Sequence, residues 1–336
     1  MRKVTMLNNQ KAKIEILSAI KVADRILLCS HIMPDGDTLG STLALMNLLE
    51  KLGKKCVVSV DGIIPDNLMF MPGVEHFASP EHILNDNFDL VISVDVSCIE
   101  RLGSLQAVFE RAEHTIVIDH HNTNPKFGEI NFIEGGAAAT AILIGELYEE
   151  AKLDFTVNDA ILLYTALSTD TGNFSFENTD SESFMLMAKL MKANLPLSMC
   201  SNLLFRQKEI PFVKLLGIAI RSLRMSDNGQ IAGFHLTCKQ MDEVNANGGH
   251  TDGIVNYAMD IKGVKMAYLL REIGDNRVKG SLRAISPYRI DTVAALYGGG
   301  GHALASGMTL DGELDEAVIS VETALADARK QQELKK

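Results

Sequence analysis

The sequence is poor in cysteine, and the few cysteines it has are not arranged for disulfides or zinc. Five of its 336 residues are cysteine, and no two form a CxxC pair; they are Cys29, Cys56, Cys98, Cys200 and Cys238. A scattered, odd-numbered set argues against both a disulfide framework and a thiolate zinc site. We therefore predict free thiols that are mostly buried in the core.

Long apolar segments are missing as well. No uninterrupted apolar stretch approaches the roughly 20 residues that a helix needs to cross a bilayer. The N-terminal segment MRKVTMLNNQKAKIEILSAI is polar and helix-like, and it lacks the apolar core and small-residue cleavage site of a signal peptide. We therefore expect a cytoplasmic protein that does not bind a membrane.

The sequence also lacks an excess of positive charge. Its 32 lysines and arginines are outnumbered by 43 aspartates and glutamates, which gives a formal net charge of −11. Proteins that coat long nucleic acids normally present a basic face to the phosphates. The charge alone therefore argues against a long duplex as a partner.

The chain is long enough for two domains, and its first half alternates strand-like and helical segments. Four short, apolar, β-rich runs indicate strands at 25–30, 54–60, 89–95 and 114–119. Helical patterns cover 38–53, 137–153 and 157–170. Strands that are apolar throughout are typical of a parallel sheet covered on both faces. We predict an α/β domain with a mainly parallel sheet flanked by helices.

The second half indicates a smaller α/β domain. A helical, methionine-rich segment precedes it, and strand patterns then begin near residue 228 with GQIAGFHLT, VKMAYLLREI and RVKGSLRAI. A final helix is predicted from about 313 to 330. The predicted division is a catalytic domain over 1–190, a helical linker over 191–227 and a substrate-binding domain over 228–336.

Aspartates and histidines cluster where the predicted strands and helices end. They are His31, Asp35 and Asp37 in SHIMPDGDT, Asp95 in ISVDVS, Asp119, His120 and His121 in VIDHHNT, and Asp170 in STDTGNF. In a parallel sheet, ligands bind beyond the carboxyl ends of the strands, so distant residues can converge there. Carboxylates with imidazoles suit Mn²⁺ or Mg²⁺, and there are more ligands than one ion needs. Two cations at one acidic site would also favour a small phosphorylated substrate.

A glycine-rich run, GGGGHALASG from 298 to 307, is the second specific feature. Consecutive glycines allow the backbone to approach a ligand closely and to present several N–H donors. The run matches neither the dinucleotide nor the P-loop pattern. A flexible loop or helix cap is the alternative interpretation. Arg283 and Arg289 lie nearby in sequence and could contact a phosphate.

Together these motifs resemble the DHH phosphoesterase superfamily. SHIMPDGD, VDVS, VIDHH and STDTG appear in the family's order, followed by GGGGHALASG, so the resemblance covers essentially the whole chain. Within the superfamily, the chain resembles the two-domain NrnA-like subfamily of nanoRNases (oligoribonucleases) and 3'-phosphoadenosine 5'-phosphate (pAp) phosphatases. The implied fold is a DHH domain followed by a DHH-associated domain.

The resemblance implies a role for the aspartates, histidines, arginines and glycines of these motifs. The first metal would be bound by His31, Asp35 and Asp95. The second would be bound by Asp37, Asp95, His120 and Asp170, with Asp95 bridging. Asp119 would orient a histidine, and His121 would contact the scissile phosphate or the bridging water rather than a metal. The implied substrate-binding residues are Arg101, Arg283, Gly299, Gly300, Gly301 and His302.

The implied activity is hydrolysis of very short oligonucleotides, including pApA, to mononucleotides, and of pAp to AMP, by a water that two metals activate. Mn²⁺ is the expected metal, with Mg²⁺ as the alternative. The partners are short oligonucleotides and nucleotide bisphosphates. Preferred substrate, polarity of attack and homodimer formation stay open.

Four other functions compete with this one. A RecJ-like single-strand exonuclease is normally longer and carries an additional oligonucleotide-binding fold. A family II inorganic pyrophosphatase lacks the GGGH-bearing domain, and a membrane-tethered cyclic-dinucleotide phosphodiesterase needs transmembrane and sensory segments. A non-catalytic nucleotide sensor on the same fold should have lost at least one metal ligand, and none is missing here.

Overall fold

The computed structural model of the chain describes residues 2–334. The chain divides into two compact units, the first ending at Gln207 and the second beginning at Lys208. Each unit is an α/β layer structure with a six-stranded sheet of its own. The predicted fold class is confirmed.

The first unit is built on a sheet in which all six strands are parallel. The strand order is β3-β2-β1-β4-β5-β6. The strands are β1 (Ile26–Ser30), β2 (Cys56–Val60), β3 (Phe77–Ala78), β4 (Leu90–Val94), β5 (His114–Asp119) and β6 (Ile130–Ile133). The central strands β1 and β4 are buried along their whole length. Neighbouring residues on β1 contribute to opposite cores, Leu27 to one face of the sheet and Leu28 to the other.

Within residues 2–334, seven α-helices accompany this sheet. They are α1 (Arg2–Val22), α2 (Gly36–Lys51), α3 (Gln106–Glu110), α4 (Thr140–Glu150), α5 (Val157–Asp170), α6 (Ser181–Lys192) and α7 (Leu197–Phe205). The larger core contains residues of α1, α2 and α4 to α7, while α3 contributes to the core on the other face. Helix α2 begins two residues before its predicted start. The reason is that the Asp35 carboxylate caps the helix by accepting from the N–H groups of Asp37 and Thr38.

The second unit contains a mixed sheet in the order β11-β12-β10-β9-β8-β7. Only the β8–β9 pair is parallel among these strands. The strands are β7 (Arg224–Ser226), β8 (Ile231–Leu236), β9 (Met266–Glu272), β10 (Arg277–Ala284), β11 (Gly300–His302) and β12 (Ala305–Asp311). The helices are α8 (Ile210–Arg221), α9 (Cys238–Glu243), α10 (Ile254–Met259), α11 (Asp291–Leu296) and α12 (Leu314–Glu333).

Helices cover both faces of the second sheet. Ile231 of β8 packs in the core that α11 and α12 share, whereas the adjacent Ala232 packs in the core shared by α8, α9 and α10. The two helices that fall inside the predicted linker each belong to a core. Leu204 of α7 is buried in the first unit, and Leu215 of α8 is buried in the second.

Within residues 2–334, no helix is both long and apolar enough to span a bilayer.

Candidate metal centre

The carboxyl ends of three adjacent strands bring the predicted site residues of the first unit together. His31 directly follows β1, Asp95 directly follows β4, and Asp119 is the last residue of β5. These strands are neighbours in the sheet, so their ends lie side by side. Helix α2 begins beside them with Asp35 and Asp37, and α5 ends there with Asp170.

His31, Asp35 and Asp95 form the first ligand group. The His31 Nε2 atom lies 3.6 Å from Asp35 Oδ2 and 3.6 Å from Asp95 Oδ2. The other ring nitrogen, Nδ1, is 2.6 Å from the Ile32 carbonyl oxygen. A proton on Nδ1 that is donated to this carbonyl leaves Nε2, which faces the two carboxylates, as the nitrogen that a metal ion would bind. The three side chains lie close enough together to bind one metal ion.

Asp37, His120 and Asp170 form the second group. The His120 Nε2 atom is 3.1 Å from Asp170 Oδ2 and 3.8 Å from Asp37 Oδ2. The Nδ1 atom of His120 lies 3.0 Å from the Ala137 carbonyl oxygen. His31 and His120 therefore use the same arrangement, in which a backbone carbonyl accepts from Nδ1 and Nε2 faces carboxylates.

Asp95 faces both groups, with a different oxygen toward each. Its Oδ2 atom faces His31, and its Oδ1 atom lies 3.6 Å from His120 Nε2. The residue is 2 % exposed, and its backbone has a φ of +61°, which is uncommon for a residue with a side chain. The Asp95 N–H donates to the Ile118 carbonyl on the neighbouring strand, which stabilises this conformation. Sparsely populated backbone conformations of this kind are concentrated at functional sites.

The fully buried carboxylate of Asp37 is held by the N-terminus of α4. Its Oδ2 atom accepts from the Thr140 N–H at 2.6 Å, and its Oδ1 atom accepts from the Ala141 N–H at 3.1 Å. The Ser41 hydroxyl donates to Oδ1 at 2.9 Å. The free N–H groups at a helix N-terminus favour a negative charge, so this carboxylate is both oriented and stabilised.

The Asp119 side chain lies at hydrogen-bond distance from His121. Among the described side chains, it makes no such contact with a member of the two ligand groups. Its Oδ1 atom is 2.7 Å from His121 Nδ1, and its Oδ2 atom accepts from the Asn124 amide at 2.6 Å. A proton on Nδ1 that is donated to a buried carboxylate leaves Nε2 as the functional nitrogen of the ring. His121 Nδ1 also lies 3.8 Å from Asp95 Oδ1.

The electrostatics of the centre favour added positive charge. Burial opposes a charge on His31, but hydrogen bonds and attraction to Asp35 and Asp95 outweigh it and raise the pKa of His31 to about 10. Burial raises the pKa of Asp37 well above its usual range, and repulsion from Asp95 adds to this effect. Buried carboxylates are costly unless a counter-charge is near. Divalent cations bound by oxygen and imidazole nitrogen fit this set of donors.

Arg101 lies beside the first ligand group. Its Nη2 atom is 3.3 Å from His31 Nδ1, and its carbonyl oxygen accepts from the Ile32 N–H at 2.8 Å. The guanidinium is therefore within the immediate surroundings of a predicted metal ligand, where an anionic substrate group could reach it.

The glycine-rich run is not a flexible loop. Gly300–His302 forms the edge strand β11, which pairs with β12 in antiparallel register. The N–H groups of Gly298 and Gly299 donate to carbonyls of α11 and close the end of that helix. The helix-cap interpretation therefore holds for the first two glycines, and these two N–H groups are not available to a ligand.

The register of the second sheet places two of the predicted substrate-binding residues at the same level. Arg283 on β10 and His302 on β11 both pair with Ala305 of β12, from opposite sides. Residues paired across antiparallel strands point to the same face of a sheet. With a strand spacing of about 5 Å, their backbones lie about 10 Å apart on that face. His302 is exposed and Arg283 is half-buried.

We expect Gly301→Ala to destabilise the second unit while the adjacent Gly300→Ala does not. Gly301 has a φ of +142°, and a Cβ there would lie 2.6 Å from the Ala305 carbonyl oxygen, whereas a Cβ on Gly300 would meet nothing within 4 Å. The loss should be about 1–3 kcal/mol in the free energy of unfolding. Urea denaturation followed by circular dichroism measures it, and equal stability of the two variants would contradict the strand assignment.

The sequence patterns did not predict several residues that contact the ligands at this centre. Thr140 donates from its hydroxyl to Asp95 and from its backbone N–H to Asp37. Asn124 donates to Asp119, and Ser41 donates to Asp37. Only Asn124 carried a sequence signal, because it closely follows VIDHH. A threonine within AAATAILIG reads as an ordinary helix residue.

Two family models and two curated relatives match this chain. Residues 25–168 match the DHH family, N-terminal domain, and residues 231–328 match the DHHA1 domain. A bifunctional oligoribonuclease and PAP phosphatase NrnA from Thermus thermophilus is 30% identical, over 93% of this chain and 92% of its own. A protein of the same name from Bacillus subtilis is 26% identical, over 93% of this chain and 98% of its own.

A solved structure shares the whole fold. The crystal structure of an exopolyphosphatase-related protein from Bacteroides fragilis superposes with a TM-score of 0.88 at 25% identity. The match covers 96% of this chain and 97% of that one, so it includes both units.

Proposed function

The chain belongs to the DHH family of phosphoesterases, which are metal-dependent hydrolases, and we propose on this premise which substrates it hydrolyses. The proposed activity is hydrolysis of very short oligonucleotides, including pApA, to mononucleotides, and of pAp to AMP. The NrnA relatives support this proposal because their names specify an oligoribonuclease and a PAP phosphatase, and because the similarity spans both units.

The observation that carries the proposal is the position of Asp95 between two ligand groups. In this arrangement His31, Asp35 and Asp95 would bind one cation, and Asp37, Asp95, His120 and Asp170 would bind the other. Two bound cations, either Mn²⁺ or Mg²⁺, would lower the pKa of a water molecule and neutralise charge on the phosphoryl oxygens. A carboxylate that offers one oxygen to each group supports a two-metal site over a single one.

The chain supplies further groups for a phosphate. The hydrogen bond to Asp119 raises the pKa of His121, although burial opposes this. A protonated His121 would donate from Nε2 to a phosphoryl oxygen, which stabilises the negative charge that develops there. Asp119 would keep the ring in the orientation that this contact requires. Arg101 would add a second cationic donor on the side of His31.

The second unit also carries groups that would bind a nucleotide. Arg283 offers a guanidinium that suits a phosphate, and His302 offers an exposed ring that could stack on a base. Both project from one face of the sheet, beside the glycines of β11. Of Gly299, Gly300 and Gly301, Gly300 has open space where a side chain would stand, so a ligand could approach its backbone, whereas the other two lie against β12.

A product time course tests the function. The purified protein is incubated with RNA of two to about twenty nucleotides, with matched DNA, and with pAp, each in Mn²⁺ or Mg²⁺. We expect mononucleotides from RNA of two to about five nucleotides, AMP from pAp, and no turnover with a chelator. A preference for long single-stranded DNA would favour a RecJ-like exonuclease instead, and no hydrolysis of any substrate would contradict the proposal.

We expect Arg283→Ala and His302→Ala to lower kcat/KM for a dinucleotide by about 100-fold, because binding energy from remote parts of a substrate supports catalysis. Neither change should alter hydrolysis of bis(p-nitrophenyl) phosphate by more than about twofold, since this small substrate needs only the metal centre. Steady-state kinetics on both substrates measures the effect.

Arg289→Ala is the matched control for this experiment. Arg289 belongs to the same unit, but its guanidinium already pairs with Asp291, so we expect unchanged kinetics. If the Arg283 and His302 variants lost equal activity on both substrates, these residues would not bind the nucleotide specifically.

A further inference from the structure

We propose that Thr140 is a positioning residue that makes Asp95 divide its two oxygens between the two ligand groups. This inference rests on the proposed two-metal site. Thr140 is the first residue of α4 and is fully buried. Its hydroxyl donates to Asp95 Oδ1 at 2.8 Å, and its backbone N–H donates to Asp37 Oδ2 at 2.6 Å. One residue thus holds Asp37 of the second group and Asp95, the carboxylate that the two groups share.

The hydroxyl fixes an orientation that the Asp95 side chain would not keep by itself. The χ2 torsion of an aspartate has a broad, roughly two-fold preference, so the carboxylate plane can rotate. The Thr140 hydroxyl reaches only Oδ1, the oxygen that also faces His120, and Oδ2 is then left facing His31. Rotation of the plane would break this hydrogen bond and remove one of the two groups from contact with Asp95.

The hydroxyl itself is well positioned for this role. Thr140 lies at the start of a helix of eleven residues whose interior is buried, so its backbone is fixed by α4. The two backbone N–H groups that bind Asp37 belong to Thr140 and Ala141, and they do not depend on the side chain. Substitution of the side chain at 140 therefore tests the contact to Asp95 separately from the contacts to Asp37.

The test compares Thr140→Val with Thr140→Ser. Valine keeps the shape and removes the hydroxyl, whereas serine keeps the hydroxyl. Mn²⁺ binding is measured by isothermal titration calorimetry, and spin coupling between two bound Mn²⁺ ions by electron paramagnetic resonance. For Thr140→Val we expect the weaker Mn²⁺ site to lose about 10–100-fold in affinity, the usual range for residues that support a metal ligand. The spin-coupled signal should be lost, and kcat at saturating Mn²⁺ should fall.

Thr140→Ser should stay within about threefold of the wild-type protein in affinity and keep the coupled signal. If Thr140→Val does not fold, as judged by circular dichroism, Thr140→Ala and Thr140→Ser replace the pair, because these two differ only by the hydroxyl. Wild-type affinities and coupling in a folded variant without the hydroxyl would overturn the proposal. An equal defect in the serine variant would overturn it as well, since the methyl group would then be responsible.

The same measurements would give a different result if the proposed two-metal site itself were wrong. In that case the wild-type protein itself would bind one Mn²⁺ or none and would show no coupled signal. Wild-type coupling that persists in Thr140→Val refutes the role of Thr140 alone.

Discussion

Replacing Asp95 with alanine should abolish hydrolysis, with a loss in kcat of more than about 1000-fold. Such a loss corresponds to roughly 4 kcal/mol of transition-state stabilisation, which is within the several kcal/mol attributed to metal-ion catalysis. The physical reason is that Asp95 faces both ligand groups, so its removal would deprive both proposed metal sites of a ligand at once. The assay is hydrolysis of bis(p-nitrophenyl) phosphate and of a dinucleotide with excess Mn²⁺.

Asp95→Asn distinguishes the effect of losing the negative charge from the effect of straining the backbone at this position. Alanine at a φ of +61° is strained, whereas asparagine tolerates the left-handed region and keeps the side-chain shape. We expect both variants to be inactive and Asp95→Asn to unfold at a denaturant concentration no lower than that of Asp95→Ala. Asp275→Ala, in an exposed turn, is the matched control and should retain full activity. More than a tenth of the normal kcat in Asp95→Ala, free of contaminating nuclease, would refute the bridging role.

Replacing each of the adjacent histidines 120 and 121 with alanine should impair the enzyme in a different way. His120 Nε2 faces Asp170, Asp37 and Asp95, so His120→Ala should weaken metal loading, and excess Mn²⁺ should restore part of the activity. His121 is held by Asp119, so His121→Ala should bind Mn²⁺ in the normal stoichiometry and turn over about 100–1000-fold more slowly, as expected when a donor to a developing charge is lost.

Metal stoichiometry of the two purified variants decides between these roles. The ratio of Mn²⁺ to protein is measured by elemental analysis after dialysis, and kcat is measured at saturating Mn²⁺. His114→Ala is a suitable control, because this histidine pairs with Glu129 on the surface. Reduced metal in His121→Ala together with normal metal in His120→Ala would mean that the two roles are reversed.

The elements that position the metal centre could be predicted from local sequence patterns. The runs at 25–30, 89–95 and 114–119 became β1, β4 and β5, because continuous apolar, β-branched segments are stable only when both faces of a strand are covered. Their polar ends then had to lie at one edge of the sheet. His31, Asp95 and His120 converge there for that reason.

The parts that the sequence did not reveal depend on contacts between distant segments. Strand β11 contains two glycines and a histidine, so its pairing with β12 is set by the partner strand and not by its own propensity. Thr140 lies 45 positions from Asp95 in the chain, and no local pattern links a helix threonine to that carboxylate. The short edge strands β3 and β6 were missed for a similar reason.

The position of the ligands along the chain has a consequence for biosynthesis. Every side chain of the two ligand groups lies between residues 31 and 170, within the first unit, and the strands of the second sheet begin only at Arg224. Domains of a multidomain chain generally fold in order as they leave the ribosome. The nascent polypeptide thus presents a complete set of metal-binding side chains before any strand of the second sheet has been translated. The candidate metal ligands can therefore come together before the second unit has folded.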